Sequence, residues 1–428
     1  GNGQVILEIG SSYAGETGPV IIDSLNTSAT LGVTFRPASG GNVLTSITAP
    51  STTLYSAIEI RSSYVTLDGR PAGSGTNRRW TVRSLGSANG RTAVRINNVN
   101  QNLTGITVKY LICEAEAPTI TDAIFYVFGT TSNTVSNLLI ENNLIRSTSS
   151  GNRGYGMEFG NGNLGNTNIV VQNNVINDVY SKGIYFLSTY PGIKFSGNQI
   201  YHTKDITQPS AGEFNAIHLG TSGIENAIIS NNLVYNIRIV NSTSTIRGIY
   251  TSTGVSDLNN PVLIFNNRIR MGAEMPANVV LYGIHEGTTT SANVYANNSV
   301  VITGSAPTNK ISAAIAKTSS ANSKYLNNIF VNLRTSGTNN NYCVYSTSAT
   351  IAFNEIGFNN YYFNGAGTVL GGFGTGITAS DLAQWNALVN IDKNSVSVNP
   401  NFTDINASIP DFTINTSIAT PLEKGGIG

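Results

Sequence analysis

A short phrase built around an asparagine pair recurs along this chain of 428 residues, and it restricts the fold more than any other feature. The second asparagine of each pair, or its equivalent, forms the series Asn143, Asn174, Asn198, Asn232, Asn267, Asn298, Asn328 and Asn360. The steps are 31, 24, 34, 35, 31, 30 and 32 residues. Repeats of this size are typical of solenoids, in which each repeat buries its apolar side chains only against its neighbours.

Each repeat contains at least two β-type phrases of about five residues, separated by Gly, Asn and Ser turns. A second series of phrases, such as KGIYF at 182 and RGIYT at 247, keeps step half a repeat away. Coiling the chain so that one repeat makes one turn stacks the strands in parallel, about 4.8 Å apart. The sequence therefore predicts an all-β protein, a single-stranded right-handed parallel β-helix (solenoid) of roughly ten or more rungs.

The asparagine pairs have a structural explanation in such a coil. Asn tolerates the left-handed conformation of a sharp corner. Its amide can donate to the rung on one side and accept from the rung on the other, which makes a ladder inside the corner. Because buried polar groups are nearly always paired, we interpret these residues as a structural ladder rather than as a ligand site.

The two ends of the chain depart from the repeat. We interpret residues 1–45 as a cap and starter strands, with residues 1–20 covering the first rung, and residues 46–375 as the rungs. Residues 376–428 contain one short helix, predicted over 379–389 with Ser380 as its N-cap. No closing element follows, and an open last rung is unexpected in a complete protein, so we expect this chain to be part of a longer polypeptide.

Composition excludes several classes of function. Only 11% of the residues are charged and the formal net charge is +1, which provides no basic surface for nucleic acid. Apolar runs such as AIFYVF at 123–128 are far shorter than the roughly 20 residues that span a bilayer. We therefore expect neither nucleic-acid binding nor membrane insertion.

Cysteine and histidine usage predicts neither a metal site nor a disulfide. The chain has three His and two Cys residues, without the spacing of a zinc site, and we expect no metal and no cofactor. Cys113 and Cys343 lie 230 residues apart, which places them seven to eight rungs apart in the predicted coil. Both are expected to be free, buried thiols, since a disulfide needs Cα atoms within about 7 Å.

Two stretches, SSYVTLDG at 62–69 and WNALVNIDKNSVSVNPNF at 385–402, resemble a known group of proteins when they are taken with the Asn-pair corners. The resemblance is to right-handed parallel β-helix domains of large secreted and surface proteins of Bacteroidetes-type bacteria, and it covers most of the chain. It implies the pectate-lyase-like architecture and a secreted or bacterial cell-surface location. It selects no function, because that architecture hosts lyases, hydrolases, epimerases and adhesins.

Aromatic and ionisable residues recur on one predicted face of the coil. If the Ile of each GI(Y/H) phrase points inward, the next residue points to solvent. This gives a column of Glu158, Tyr185, His218, Tyr250, His285, Ala316 and Tyr345. Exposed strand positions favour Tyr for structural reasons alone, but stacked Tyr and His are also expected to form a flat platform for sugar rings. We predict a ligand-binding face made of Glu158, Tyr185, His218, Tyr250 and His285.

The leading hypothesis is a non-catalytic module, a rigid scaffold for glycan binding or adhesion that presents this face to a polysaccharide or surface glycan. The alternative is a polysaccharide lyase, in which His218 and Tyr250 act as base and acid and Lys204 or Arg247 meets a uronate carboxylate. For Lys204, Arg247 and Lys317 we favour the ordinary interpretation, that they are solvated charges at loops and strand ends. A third hypothesis is a purely structural spacer or filament subunit.

A glycoside hydrolase has less support from the sequence. Its two carboxyl groups must lie about 5 to 10 Å apart. Glu158 and Glu286 would sit four rungs apart, or about 20 Å, whereas Glu213 or Asp205 could approach the column from the segment between two strands.

Overall fold

The protein is all-β, a parallel β-solenoid of about ten turns with a single short helix near its C-terminus. The computed structural model describes residues 3–423 apart from 14, 16–18, 41, 49–55, 86–91, 116–122, 149–153, 208–211, 221–222, 241–244, 253–257, 276–278, 288–291, 306–309, 336–340, 349–352 and 375. The chain forms two compact units, residues 1–199 and 200–428, which are described separately.

The strands of the first unit are short and regularly spaced. In chain order they are β1 Val5–Ile9, β2 Val20–Ile22, β3 Val33–Pro37, β4 Val43–Thr48, β5 Ser56–Ile60, β6 Val65–Asp68, β7 Trp80–Leu85, β8 Thr92–Asn97, β9 Leu103–Lys109, β10 Leu111–Ala115, β11 Ala123–Phe128, β12 Val135–Glu141, β13 Leu144–Ser147, β14 Tyr155–Phe159, β15 Thr167–Gln172, β16 Val175–Asn177, β17 Lys182–Phe186 and β18 Lys194–Ser196, with a 3₁₀ turn at Pro71–Gly73. They stack into three sheets: A1 (β1-β3-β6-β9-β12-β15-β18), B1 (β4-β7-β10-β13-β16) and C1 (β2-β5-β8-β11-β14-β17).

The second unit continues the pattern. Its strands are β19 Gln199–Tyr201, β20 Glu213–Leu219, β21 Ile228–Ser230, β22 Leu233–Val234, β23 Thr245–Thr251, β24 Leu263–Phe265, β25 Arg268–Met271, β26 Val280–Glu286, β27 Val294–Ala296, β28 Ser299–Ile302, β29 Ser312–Lys317, β30 Lys324–Leu326, β31 Ile329–Asn332, β32 Asn341–Ser346, β33 Glu355–Gly357, β34 Asn360–Phe363, β35 Thr368–Phe373, β36 Ile377–Ala379, β37 Phe402–Asp404 and β38 Asp411–Ile414, with helix α1 Leu382–Val389 and a 3₁₀ turn at Pro421–Glu423. The sheets are A2 (β21-β24-β27-β30-β33), B2 (β19-β22-β25-β28-β31-β34) and C2 (β20-β23-β26-β29-β32-β35-β36).

Parallel pairing places equivalent residues of successive coils in line. In sheet C2 the register runs Ile217, Ile249, Ile284, Ile315 and Val344, and each of these side chains is buried. Burying such a row against its neighbours is the main source of solenoid stability, since a single coil has no core of its own.

The corner between sheets A and B uses the two asparagines of each pair for different tasks. The first residue takes the left-handed conformation, as at Asn142 (φ 57°) and Asn297 (φ 54°). The second residue, as at Asn143 and Asn298, is fully buried and points into the corner. Asn suits the first position because its short polar side chain tolerates positive φ, and it suits the second because its amide both donates and accepts.

The buried asparagines form hydrogen-bonded ladders, as the sequence predicts. In the first unit, Asn143 Nδ2 donates to Asn174 Oδ1 and Asn174 Nδ2 donates to Asn198 Oδ1, each at 3.0 Å. In the second unit the chain of donors and acceptors runs through Asn232, Asn267, Asn298, Asn328 and Asn359, with Nδ2–Oδ1 distances of 2.9 to 3.0 Å. The same Oδ1 atom also accepts the backbone N–H of the preceding ladder residue, as in the 3.1 Å bond from Asn267 N to Asn298 Oδ1.

The last position of the ladder corrects the predicted series. In the phrase FNN, Phe358 takes the left-handed conformation (φ 56°), so Asn359 is the ladder residue rather than Asn360. Asn360 instead accepts a hydrogen bond from Val398 N and donates to Val398 O. Corner position, not the order of the two asparagines, determines the role.

A buried ion pair lies inside the second unit, which contradicts the interpretation of Lys317 as a solvated charge. Lys317 and Glu286 are 1% and 0% exposed, and Lys317 Nζ lies 3.2 Å from Glu286 Oε1. Glu286 also accepts hydrogen bonds from Ser319, Ser323 and Tyr325. This full set of partners offsets the cost of removing both charges from water.

The beginning of the chain differs from its predicted role. Within residues 1–20, Val5–Ile9 is itself the outermost strand of sheet A1, paired in parallel with Val33–Pro37. Val5, Ile6 and Leu7 are 51, 45 and 45% exposed. In the described residues this segment therefore extends the coil instead of covering it.

The segment after the last coil packs against that coil. Strand β36 pairs antiparallel with β35, and helix α1 places Trp385 against Phe373, with ring centroids 5.4 Å apart. Trp385 is fully buried, and its Nε1 donates to Asp392. The helix begins one residue later than predicted, because Asp381 rather than Ser380 is the N-cap and accepts a hydrogen bond from Gln384 N.

A hairpin of β37 and β38 packs on the outer side of sheet B2. Phe412 is buried in one cluster with Leu233, Tyr235, Val301 and Val331. These strands therefore carry apolar residues on both faces, one toward the interior and one toward the hairpin. Such double-sided strands are typical of buried parallel sheets.

Both cysteines are free and buried, as predicted. Burial raises the pKa of each thiol well above its usual value, so neither is a reactive thiolate. The described α-helix has eight residues, and no helix among the described residues is long and apolar enough to cross a membrane.

Candidate functional site

The predicted column of aromatic and ionisable residues exists in each unit. In the first unit, Glu158 pairs in register with Tyr185. In the second unit the register runs His218, Tyr250, His285, Ala316 and Tyr345. The alignment follows from the repeat, because the residue after the inward Ile keeps the same place in every coil.

Three rings of the second unit stack directly on one another. The centroid of Tyr250 lies 4.7 Å from that of His218 and 4.9 Å from that of His285, with interplanar angles of 28° and 18°. The repeat between strands sets this spacing, since parallel neighbours lie about 4.8 Å apart. We call these three residues the ring stack.

Arg247 fixes one side of the ring stack. Its guanidinium carbon lies 4.2 Å from the centroid of the Tyr250 ring, a cation–π contact. Its Nε donates to His285 Nδ1 at 2.8 Å, and its Nη1 donates to Glu213 Oε2 at 2.7 Å and to Asn215 Oδ1 at 3.1 Å. No described residue accepts a hydrogen bond from Nη2. Arg247 is 8% exposed, so the strand-end, solvated interpretation of this residue is wrong.

His285 is held in one tautomer. Because Nδ1 accepts a hydrogen bond from Arg247, the neutral ring carries its proton on Nε2, which lies 3.0 Å from Thr318 Oγ1. Burial, with a smaller contribution from the positive charge of Arg247, lowers the pKa of His285 to about 3. The ring is therefore neutral at physiological pH, and both of its nitrogens are engaged.

The other two rings of the stack, His218 and Tyr250, also lie against polar neighbours. His218 Nε2 lies 2.9 Å from Ser252 Oγ, a hydroxyl of the next coil. Burial raises the pKa of the Tyr250 phenol, and the positive charge of Arg247 offsets this only in part. A phenol with a raised pKa stays protonated at neutral pH, so Tyr250 is available as an acid but not as a phenolate base.

The ring stack is less exposed than the alternation of the strand predicts. His218 and His285 are 8% and 6% exposed, and Tyr250 is half-buried. The outward side chains stack along the coil and pack against Arg247, so they cover one another. Stacked rings turn their faces toward their neighbours, and they therefore present edges and polar atoms, not a flat platform, to the outside.

The first unit has a more open aromatic cluster on the outside of sheet C1. Tyr155 and Tyr185 meet edge to face with centroids 5.4 Å apart. Lys182 Nζ lies 3.7 Å from the centroid of Tyr185 and 3.4 Å from the hydroxyl of Tyr155. All three side chains are half-buried, whereas Glu158 is buried at 8% exposure. Here ring faces and an ammonium group are within reach of a ligand.

The remaining predicted residues are not brought together. Lys204 lies in the turn after Gln199–Tyr201, a strand of sheet B2, while Arg247 and the ring stack lie on sheet C2. Asp205 pairs with Arg238 instead of approaching the stack. Glu286 points into the interior, so it cannot serve as an outer carboxylate.

Two further residues complete the second-unit site: Glu213, which the sequence offered only as a carboxylate able to approach the column, and Asn215, which it did not nominate. Asn215 is fully buried and Glu213 has a side chain that is 51% exposed, and both hold Arg247. Asn215 and Arg247 are paired in register and take the first place in the phrases NAIHL and RGIYT. Aligning the phrases by that first position would have revealed this second column beside the ring stack.

Comparison with known protein families and with curated proteins finds no match. Among solved structures, the chain is similar to a mutant tailspike protein of E. coli bacteriophage HK620 in complex with a pentasaccharide, with 12% identity, a TM-score of 0.41, and coverage of 78% of this chain and 60% of the other. It is also similar to DFA-IIIase from Arthrobacter chlorophenolicus A6, with 12% identity, a TM-score of 0.36, and coverage of 92% and 82%. The chain thus spans 60% of the tailspike chain. At this level of identity the likeness concerns the fold alone.

Proposed function

We propose that this chain is a carbohydrate-binding β-solenoid module, a rigid scaffold that presents the outer faces of sheets C1 and C2 to a polysaccharide or surface glycan. The observation that carries the proposal is the fixed position of Arg247, which Glu213, Asn215 and His285 hold beside the half-buried Tyr250. Polar groups that are already fixed lose little entropy when a ligand binds.

The chemistry of the two patches suits sugars. A sugar ring offers hydroxyl groups to donors and acceptors and a C–H face to an aromatic ring. Glu213 and Arg247 supply an acceptor and a donor in the second unit, while Tyr155, Lys182 and Tyr185 supply ring faces and a donor in the first. A few fixed polar groups beside apolar surface are typical of small-molecule sites.

The polysaccharide lyase remains the alternative, but the ring stack supports it less well. Both nitrogens of His285 are engaged. The raised pKa of Tyr250 keeps its phenol protonated, so it could serve only as the acid and not as the base. His218 would have to act as the base without Lys204, which lies on another side of the coil. We retain the secreted or bacterial cell-surface location, the relation to Bacteroidetes-type proteins and the pectate-lyase-like architecture as parts of the proposal, supported by the sequence resemblance. The purely structural spacer is the outcome if no glycan binds.

The test is retention of the purified chain on an array of neutral and acidic polysaccharides, followed by calorimetric titration of any ligand found. The double variant Glu213→Gln, Tyr250→Phe removes one charge and one hydroxyl but keeps the ring stack. We expect about a tenfold loss of affinity, since the hydrogen bond of the Tyr250 hydroxyl, worth about 1 kcal/mol, is removed and the bond to residue 213 loses the assistance of a charge. A second variant, Tyr185→Ala, tests the first-unit patch in the same way.

The matched control is Tyr201→Phe, which removes the hydroxyl of a half-buried tyrosine on sheet B2 and should leave affinity unchanged. Release of unsaturated oligosaccharides from a uronate polymer, lost in His218→Ala, would establish the lyase instead. If the unmodified chain is retained on none of the glycans, or if both site variants bind like the control, the binding proposal is wrong.

A further inference from the structure

Arg334 is the largest charged side chain that the second unit buries completely. It follows β31 at the corner where the chain leaves sheet B2 for sheet C2, and its exposure is 0%. Its backbone is tied down on both sides, because its N–H donates to Asn332 Oδ1 and its carbonyl accepts from Asn341 Nδ2. The residue is thus part of a fixed corner.

The side chain crosses a neighbouring coil. Its Nη1 donates to the carbonyl of Val279, which directly precedes β26. Strand β29 lies between β26 and β32 in sheet C2, so one whole coil separates Val279 from the coil of Arg334. The side chain is fully buried along this path, so the guanidinium lies inside the corner.

One edge of this guanidinium has no partner among the residues that the structure describes. Nε and Nη2 are both buried and neither makes a hydrogen bond. These two nitrogens form the same fork with which arginine binds carboxylates and other anions through two parallel N–H bonds. The unpaired atoms are thus arranged as an anion-binding pair.

The charge also lacks a carboxylate. No described residue forms an ion pair with Arg334, and Glu274, the carboxylate in the equivalent corner two coils earlier, pairs with Arg270 instead. Burial alone lowers the pKa of Arg334, to about 10, so the group remains positively charged at neutral pH. A buried charge without a partner is strongly unfavourable.

We propose that Arg334 is the receptor of a buried inorganic anion of single charge, of the chloride class, bound by Nε and Nη2 inside the second unit. A small monovalent ion matches the single positive charge and the two unpaired N–H donors. The anion is a structural ligand of the coil, and the proposal is independent of carbohydrate binding on sheet C2.

The first experiment uses crystals of the unmodified chain soaked in sodium bromide, with diffraction data collected at the bromine absorption edge. We expect an anomalous peak within about 3.5 Å of Nε and Nη2. If the data show no such peak at Arg334, or show a water molecule in its place, the proposal fails. This measurement depends on no variant.

The second experiment compares melting temperatures at constant ionic strength in sodium chloride, sodium bromide and sodium gluconate. Wild type should melt about 2–5 °C higher in the halides than in gluconate, as mass action on a bound ion requires. Arg334→Met should lose that difference. The matched control is Arg238→Met, which breaks the exposed pair with Asp205 and should keep the wild-type response. An equal halide response in wild type and Arg334→Met would overturn the proposal.

Discussion

In the second unit, the hydrogen bonds of one ladder asparagine determine how much unfolding free energy its replacement removes. Asn298 accepts hydrogen bonds from Asn267 N at 3.1 Å and from Asn267 Nδ2 at 3.0 Å. It donates to Ile264 O at 2.8 Å and to Asn328 Oδ1 at 3.0 Å. Asn298→Leu has nearly the same shape but removes all four bonds. In this variant the backbone N–H of residue 298 still donates to Asn328 Oδ1, so that acceptor keeps a hydrogen bond. The two donors of Asn267, its N and Nδ2, are left without an acceptor.

The expected loss is large on the scale of protein stability. Each buried group left unpaired costs about 1–3 kcal/mol, so two such donors cost about 2–6 kcal/mol. The whole free energy of unfolding of a typical domain is only about 5–15 kcal/mol. Urea unfolding followed by circular dichroism measures the change, and hydrogen exchange should show the greatest loss of protection in the adjacent coils.

The neighbouring residue provides a matched control. Asn297 is exposed and takes positive φ (54°), a conformation that glycine adopts readily. Asn297→Gly should therefore change stability by less than about 1 kcal/mol. If Asn298→Leu is as stable as wild type, or if Asn297→Gly loses as much as Asn298→Leu, the ladder does not stabilise the corner in the way argued.

Three further predictions concern other parts of the second unit. Trp385→Ala should lower unfolding free energy by about 3–5 kcal/mol, measured by urea denaturation, because it removes a fully buried ring from the end of the last coil. Lys317→Met should cost about 3–5 kcal/mol because Glu286 loses its counter-charge, and adding Glu286→Gln should restore a part of the loss in a double-mutant cycle. His285 has its folded pKa lowered from 6.5 to about 3, so its contribution to stability is complete above pH 6.5 and is lost as pH falls toward 3. At pH 5 that loss is about 2 kcal/mol, and His285→Gln should remove this share of the pH dependence of the melting temperature.

The fold could be predicted because its cause is local and repeated. Each coil repeats the same corner and the same inward Ile. The spacing of the asparagines and the phrases around Ile217 and Ile249 therefore predict parallel stacking without knowledge of distant contacts. The one error in the ladder, at Asn360, arose because Phe358 took the left-handed position that asparagine holds elsewhere. Residue type alone therefore does not distinguish the left-handed position of a corner from the ladder position that follows it.

For the site, the sequence predicted which side chains align from coil to coil, but not how exposed they are. Register gave the order of His218, Tyr250 and His285, but burial depends on how the aligned side chains pack against each other and against Arg247. Alternation marks a side chain as outward; it does not determine its exposure. Glu286, which follows His285, was inward by the same rule, and its alignment with Lys317 in the next coil was a signal for the buried ion pair.

The end of the second unit could not be predicted from the repeat. Val301 and Val331 lie beside inward apolar residues in their strands, which signals a covered outer face, but nothing local identifies the hairpin around Phe412 as the cover. Trp385 was placed correctly on a helix, whereas its contact with Phe373 depends on how the chain turns back after β35. Such contacts join residues that are distant in the sequence, and the periodicity of the repeat does not predict them.

The ladder has a direction, and that direction gives the solenoid an electrical polarity. The Nδ2 atoms of Asn232, Asn267, Asn298 and Asn328 each donate to the Oδ1 of the ladder residue in the next coil. These amide dipoles therefore point the same way and add, as peptide dipoles do in a helix. The positive end lies at Asn359, whose N–H donates to Ser395, and Ser395 in turn donates to the carboxylate of Asp392. A negative charge therefore stands at the positive end of the array. Inserting or deleting a whole coil would preserve the alignment of these dipoles and their terminal charge, whereas half a coil would interrupt both, so we expect the length of this solenoid to change only in complete turns.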